Sequence, residues 1–336
     1  MPSSDVMWPT PLTRLNPVYP GQMGVPGGWT ETGLRQHCTG TIFYVDPNYP
    51  GVSDQRDGTD PTDPLTTVAA ALTKCEDYRG DVIVVMANNA WKWGDWVAGA
   101  GQYTTAIIEE VTVDVHGVRI VGLSPSGAVG VVWQAAQAGG TCITVHAMDV
   151  LIEGFAFQGC YTGPGLAYAQ ADAISAVWGG AFYGENLTVR NCHFSEYVDT
   201  AIELEFSWYA HIHNNVFDRC AVVGIYADPA GSHTQYCNIH DNLFTNCGDA
   251  IALEVSDYNQ IYRNSIYNIT AQAGGLSTDE GINLTNGDYN MVFDNYFSCD
   301  LPAGANGDWD DLNTAGGTDA WVNNHCMNGD ATTAPA

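Results

Sequence analysis

The sequence predicts an all-β chain: a single-stranded, right-handed parallel β-helix, a solenoid of short strands, with an N-terminal capping helix. Three observations carry that expectation. A six-residue pattern, aliphatic–x–polar–Asn–x–aromatic, recurs along the second half of the 336 residues. A second pattern follows each copy about ten residues later. Within both, apolar and other residues alternate with period two, not with the 3.6 of an amphipathic helix.

The first pattern reads IHNNVF at 212–217, IHDNLF at 239–244, IYRNSI at 261–266 and VFDNYF at 292–297. VRNCHF at 189–194 carries its Asn one place early, IVGLSP (120–125) and IEGFAF (152–157) have Gly in place of the polar residue, and WVNNHC (321–326) is a degenerate copy. Intervals between copies run from 22 to 37 residues. The shortest suit a bare coil of three strands, and the longer ones leave room for loops.

The second pattern reads DAISAV (172–177), TAIELE (200–205), VGIYAD (223–228), DAIALE (249–254) and EGINLT (280–285). Ile174, Ile202, Ile225, Ile251 and Ile282 align in one column, and Ala176, Leu204, Ala227, Leu253 and Leu284 in the next. Alternation places both columns inside a strand-built tube. Stacked coils bring equivalent residues about 4.8 Å apart, so Asn215, Asn242, Asn264, Asn295 and Asn324 are expected to form a ladder of side-chain amides. Cys160, Cys220 and Cys247 share a column with Tyr197 and Ile269. Exchange of that kind marks a core filler, so the ten Cys read as buried thiols and not as a disulfide framework.

Four regions follow. Residues 1–37 form an extended Pro/Gly-rich arm without repeats. Residues 38–90 supply the N-terminal cap and first coil: a strand at 41–45, a GTDPTDP loop, the helical stretch LTTVAAALTKCE at 65–76, and a strand at 81–86. An open solenoid end exposes backbone and core, which the helix is expected to cover. Residues 91–326 are β-helix coils, and 327–336 are a C-terminal tail. No apolar run is long enough to span a membrane, and the N-terminal sequence lacks the basic start and apolar stretch of a secretory leader. Ten Lys and Arg face 38 Asp and Glu, a net charge of −28. That balance argues against nucleic acid and anionic membranes as partners. It fits a soluble surface or Ca²⁺ binding; no motif requires a cofactor.

The order strand, DGT–P–P loop, TVAAAL helix, GD strand and repeated I–x–N–N–x–F coils resembles the pectate-lyase-like superfamily of right-handed β-helices, over roughly residues 40–326. That group includes pectin lyases, polygalacturonases and phage tailspike and virion-surface proteins. The resemblance implies the fold and leaves function to the site. Lyase-type β-elimination would use an Arg or Lys base beside Ca²⁺, and the outward positions of the second pattern contain neither. The Asp cluster with His and Arg–x–Lys partners of the polygalacturonases is also absent.

Acids occupy those outward positions instead. Glu205, Asp228 and Glu254 fall in one column on consecutive rungs, and Glu203 lies two residues from Glu205. Spacings of about 5 and 10 Å bracket those of retaining and inverting glycosidases, and mutual repulsion would raise one pKa as a general acid requires. The same acids also read as solvated surface or as oxygen ligands for Ca²⁺. Trp178, Trp208, Tyr209 and Tyr226 are candidate glycan-stacking residues, or equally loop packing or a subunit interface. His213 and His240 align on adjacent rungs beside Arg190 and Tyr262, with His211 near, but no third ligand is fixed, so the metal assignment is open. Asp54, Asp57, Asp60 and Asp63 lack the spacing of a Ca²⁺ loop and read as turn formers.

The leading expectation is a non-enzymatic virion-surface protein: a phage capsid decoration or tailspike-like homotrimer, docked on capsid or tail proteins through the N-terminal arm and able to take a polysaccharide ligand. The alternatives are a polysaccharide hydrolase acting through the outward carboxylates and a secreted, extracellular glycan-binding adhesin. Size-exclusion chromatography with light scattering is expected to return three times the chain mass; a monomer mass rejects the trimer.

Overall fold

The computed structural model describes residues 40–86, 96–97, 102–103, 106–123, 131–137, 139–159, 171–177, 184–197, 199–227, 233–267, 269, 281–298, 309–312 and 319–326. Of residues 96–97, 102–103, 298, 309–312 and 326 only the backbone is described. The arm 1–37 and the tail 327–336 lie outside these residues.

Coil after coil contributes one strand of mostly three to five residues to each of three parallel sheets, as expected of a right-handed parallel β-helix. Sheet 1 has ten strands, from Ile42–Val45 through His211–His213 to Ala320–Val322. Sheet 2 has nine, from Ile107–Ile108 through Val216–Asp218 to His325–Cys326. Sheet 3 has eight, from Val111–Val113 through Thr200–Leu204 to Trp309–Leu312. A separate antiparallel pair joins Trp96–Val97 to Gln102–Tyr103.

Register follows from the alternation. Ile143, Ile174, Ile202, Ile225, Ile251 and Ile282 sit opposite one another along sheet 3. The aliphatic residue that starts each copy of the first pattern forms a second column along sheet 1. A slip by one residue would turn each column outward. Inside sheet 2, Phe157, Phe194, Phe217 and Phe244 stack with centroids 5.2, 4.8 and 4.5 Å apart. All of these belong to one continuous core.

The Asn ladder lies at the bend between sheets 1 and 2. The Nδ2 groups of Asn215, Asn242, Asn264 and Asn295 each donate to Oδ1 of the next rung at 3.0–3.1 Å. Each Nδ2 also donates to a backbone carbonyl of the preceding coil, and each Oδ1 accepts a backbone N–H as well. The residue before the ladder position adopts a left-handed conformation in every coil from Asn191 to Asn323. In two earlier coils Gly122 and Gly154 face each other across the bend, where a Cβ on either would lie 2.5–2.6 Å from the other's carbonyl oxygen. Glycine is needed there because the backbones touch.

The helix covers Val68–Leu72, shorter than the stretch expected over 65–76. At its start Thr67 accepts from Ala70 N, Asp54 from Thr66 N and Thr67 N, and the Glu109 carboxylate from Val68 N and Ala69 N. These side chains anchor residues 66 and 67 as an approach to the helix. At its end Lys74 and Cys75 bond back three residues and tighten the chain into a turn. Val68, Ala71 and Leu72 pack into the core. Of the Asp row, Asp54 serves this start, Asp60 closes a turn on Thr62, and Asp63 pairs with Arg56.

The six cysteines whose side chains are described are free thiols, five of them buried, as expected of core fillers. Asn242→Ala would strip partners from Asn215 N and from the Ile212 carbonyl inside the tube. Urea unfolding is expected to show a loss of about 3 kcal/mol, whereas Asn238→Ala on the outer side of the same coil changes stability by less than about 0.5 kcal/mol.

Candidate functional site

Sheet 3 carries acids on and beside its outward face. Its outward column runs Thr144, Ser175, Glu203, Tyr226, Ala252 and Asn283. Ser175 and Ala252 are buried although they point away from the core, Ser175 against the Glu203 carboxylate and Ala252 among Val222, Val223 and Tyr226. Ser175 Oγ donates to Glu203 Oε2 at 2.6 Å and fixes that carboxylate. Asp172 stands just before the strand Ile174–Ala176, with Thr141 Oγ1 donating to its Oδ2 at 3.4 Å. Burial first, then the negative charges of Glu203 and Asp199, push the Asp172 carboxyl up to about 7. Burial also raises Asp199. One carboxyl that keeps its proton near neutrality, beside another held by a hydroxyl, is the arrangement that separates an acid from its partner base.

The acids expected from the sequence are divided by the structure. Glu203 joins this cluster. Glu205 and Glu254 occupy one column two rungs apart, and Glu254 accepts from the Tyr226 hydroxyl at 3.4 Å. Asp228, the middle member, lies outside the described residues. Asp172 was not among the expected site residues, although DAISAV contains it.

The aromatic candidates also separate. Trp178 is outside the described residues. Tyr226 lies on sheet 3 against Val222, Val223 and Ala252. Trp208 and Tyr209 sit in the bend between sheets 3 and 1, where Trp208 Nε1 donates to the His233 carbonyl at 2.9 Å. Tyr209 begins a stack that sequence reasoning missed: Tyr209, Tyr236, Tyr258 and Tyr289, with centroids 5.3, 5.2 and 5.1 Å apart and rings within 13° of parallel. All four are exposed, and all have φ between 57° and 62°. In the two preceding coils the same left-handed position holds Asp149 and Asn186, residues that tolerate it better.

A parallel stack runs along the outer side of sheet 1: His213, His240, Tyr262 and Phe293, at 4.9, 4.7 and 4.9 Å. Burial, then the neighbouring His240 and Arg190, lower His213 to about 4, and burial with His240 lowers His211. His213 Nδ1 meets Asn214 Nδ2, and His240 Nδ1 meets Asp241 Oδ2. Between the two stacks, at the Tyr209 end, lies a cavity of 380 Å³ lined by Met148, Asp149, Glu185, Asn186, Tyr209 and His211.

With this geometry in view, comparison with known proteins places the chain. A family model described as "Periplasmic copper-binding protein (NosD)" matches residues 116–318, more than half of the sequence. The chain belongs to the NosD family. No curated protein matches it. Among solved structures, the GH136 lacto-N-biosidase from Eubacterium ramulus aligns with a TM-score of 0.64 at 12% identity, over 88% of this chain and 57% of that one. This chain therefore spans little more than half of that protein. A pectate lyase from Xanthomonas campestris aligns at 0.47 and 15% identity, over 94% of this chain and 85% of that one. At 12% identity the likeness to the lacto-N-biosidase is one of fold alone, a parallel β-helix.

The copper named in the NosD description does not fit the donors described. Among the described residues no group of three or more His, Cys, Asp or Glu is placed to hold a metal ion. His213 and His240 lie face to face, 3° from parallel, so their ring nitrogens run side by side and do not converge on a shared ion. The thiols of Cys192 and Cys237 are pushed up to about 12 by burial, against the thiolate that copper would need.

Folded Asp172 takes up its proton near pH 7 and the unfolded carboxyl near 3.8. Between those values the folded state holds more protons, so this group's contribution to stability falls as pH rises from about 4 to about 7, and is level above. Asp172→Asn is therefore expected to gain more stability over the parent at pH 8 than at pH 5 in denaturant titrations. An equal gain at both pH values contradicts the assignment.

Proposed function

We propose that this NosD-family chain is a polysaccharide-directed glycoside hydrolase working outside the cytoplasm, with Asp172 as general acid and Glu203 as its carboxylate partner. The observation that carries the reading is the Asp172 carboxyl, pushed up to about 7 by burial and by the nearby charges of Glu203 and Asp199, with Glu203 held by the Ser175 hydroxyl. The periplasmic setting in the family description supports the location.

In this reading Asp172 donates its proton to the glycosidic oxygen as the bond to the anomeric carbon breaks. Glu203, oriented by Ser175, faces the positive charge that develops on the sugar. It then accepts a proton from the water whose oxygen bonds to that carbon. In the same reading Tyr226, on the next rung of the Glu203 column, would border the substrate. Glu205 and Glu254 flank the cluster, and Ca²⁺ binding by outward carboxylates remains a separate proposal. The virion-surface role has no supporting observation among the described residues, because the arm meant to dock lies outside them.

Reducing-sugar release from a panel of neutral and acidic polysaccharides tests the proposal. Release by the parent chain is expected to lose about 10²–10⁴-fold in kcat with Asp172→Asn or Glu203→Gln, and to lose rate above about pH 7 as Asp172 ionises. Glu254→Gln is expected to stay within about tenfold of the parent, since its partner is the Tyr226 hydroxyl and not the pair. No release from any polysaccharide, or release indifferent to both substitutions, rejects the assignment.

A further inference from the structure

We infer that the cavity at the open end of the tyrosine stack binds a neutral sugar residue, laid face-on against the Tyr209 ring. The inference rests on the polysaccharide reading above and adds a site on a different part of the coil.

Sugars bind aromatic side chains through the ring face, which meets the C–H side of the pyranose, while hydroxyl groups reach polar neighbours at the rim. Inside the tyrosine stack each face is already covered: Tyr236 lies between Tyr209 and Tyr258, and Tyr258 between Tyr236 and Tyr289. Although these rings are 41% and 44% exposed, what they show to solvent is edge. Tyr209 is different. It is 50% exposed, one face meets Tyr236, and no ring among the described residues packs on the other. In the coil before it the column changes from Tyr to Asn186, a smaller side chain, and the 380 Å³ cavity opens there.

The remaining lining suits hydroxyl groups. Asn186 Nδ2 donates to Asp149 Oδ1 at 2.6 Å, which orients both amide and carboxylate at the cavity. The Glu185 carboxylate and the His211 ring have no hydrogen-bond partner among the described residues, and both line the same space. One ring with four acceptor-bearing side chains can take a pyranose; a cage for a quaternary ammonium group would need several ring faces around the charge. Two carboxylates, on a chain of net charge −28, disfavour a uronic acid. The volume falls in the range of small-ligand sites, about 300–1,000 Å³.

Calorimetric titration of the full chain with neutral tri- to pentasaccharides of glucose, galactose, xylose and N-acetylglucosamine tests the inference, with trigalacturonate and choline as contrasting probes. At least one neutral oligosaccharide is expected to bind, at least about tenfold more weakly to Tyr209→Asn, the residue type the column itself uses at Asn186, and with parent affinity to Tyr209→Phe. Tyr258→Ala, inside the stack, is expected to stay within about twofold. Asp172→Asn is expected to bind like the parent while hydrolysis is lost, which separates this site from the acid pair. Binding that survives Tyr209→Asn, or falls equally with Tyr258→Ala, overturns the inference. So does binding of trigalacturonate or choline alone. If no neutral oligosaccharide binds while Asp172-dependent hydrolysis persists, the sugar site fails and the hydrolase reading stands.

Discussion

The buried carboxamides at the bend between sheets 1 and 2 hold the molecule in register. An amide sealed in an apolar tube must find partners for both donors and for its oxygen, or it costs more than it contributes. Here the only supply is the same amide one coil away and the backbone beside it. A coil that slipped by one residue would strand several amides and turn its isoleucines to water. The requirement is local and identical at each rung, so a chain with irregular loops still closes into regular coils. A second, shorter ladder of the same design joins Asn259 to Asn290 at the entrance to sheet 1, with Asp319 accepting below it. The two ladders hold both ends of the sheet 1 strands in these coils.

That repetition is also why the fold could be read from residues alone. The Ile and Leu columns, the Asn ladder and the buried thiols each answer one demand posed again every coil, and a repeated demand leaves a repeated letter. The helix was harder to bound, because its first turn is set by Asp54 and Glu109, which lie at a distance in sequence. The tyrosine stack was legible in principle: Tyr209, Tyr236, Tyr258 and Tyr289 each stand three residues before the aliphatic residue that begins the first pattern. Grouping Tyr209 with Tyr226 by proximity in the chain concealed that, since the two lie in different parts of the coil.

The acid cluster shows where such reading stops. Asp172 sits in a quoted repeat, yet nothing in its own strand marks it. Its properties come first from burial, then from Glu203 on the following coil and from Asp199 just before that coil's strand. Burial of an outward position is not written in alternation, which assigns only inside and outside. The few cations tell a similar story: Arg190 reaches back to Glu153, Arg263 to Asp241, and Arg219 to Glu196 and Asp218. Ten Lys and Arg cannot pair one for one with 38 acids, and where acids gather, as around Asp172, the repulsion adds to burial in raising the pKa.

Growth by coil duplication has an unequal effect on this architecture. Inserting another rung lengthens the amide ladder, the phenylalanine column and the tyrosine stack together, and each new tyrosine arrives with both faces spoken for. A row of stacked rings has two termini however many members it contains. A longer descendant of this solenoid would gain stability in proportion to its length while its count of open ring faces stayed constant. New binding capacity would have to come from breaking the row with a small residue, of the kind that Asn186 sets before its first ring, and not from extending it.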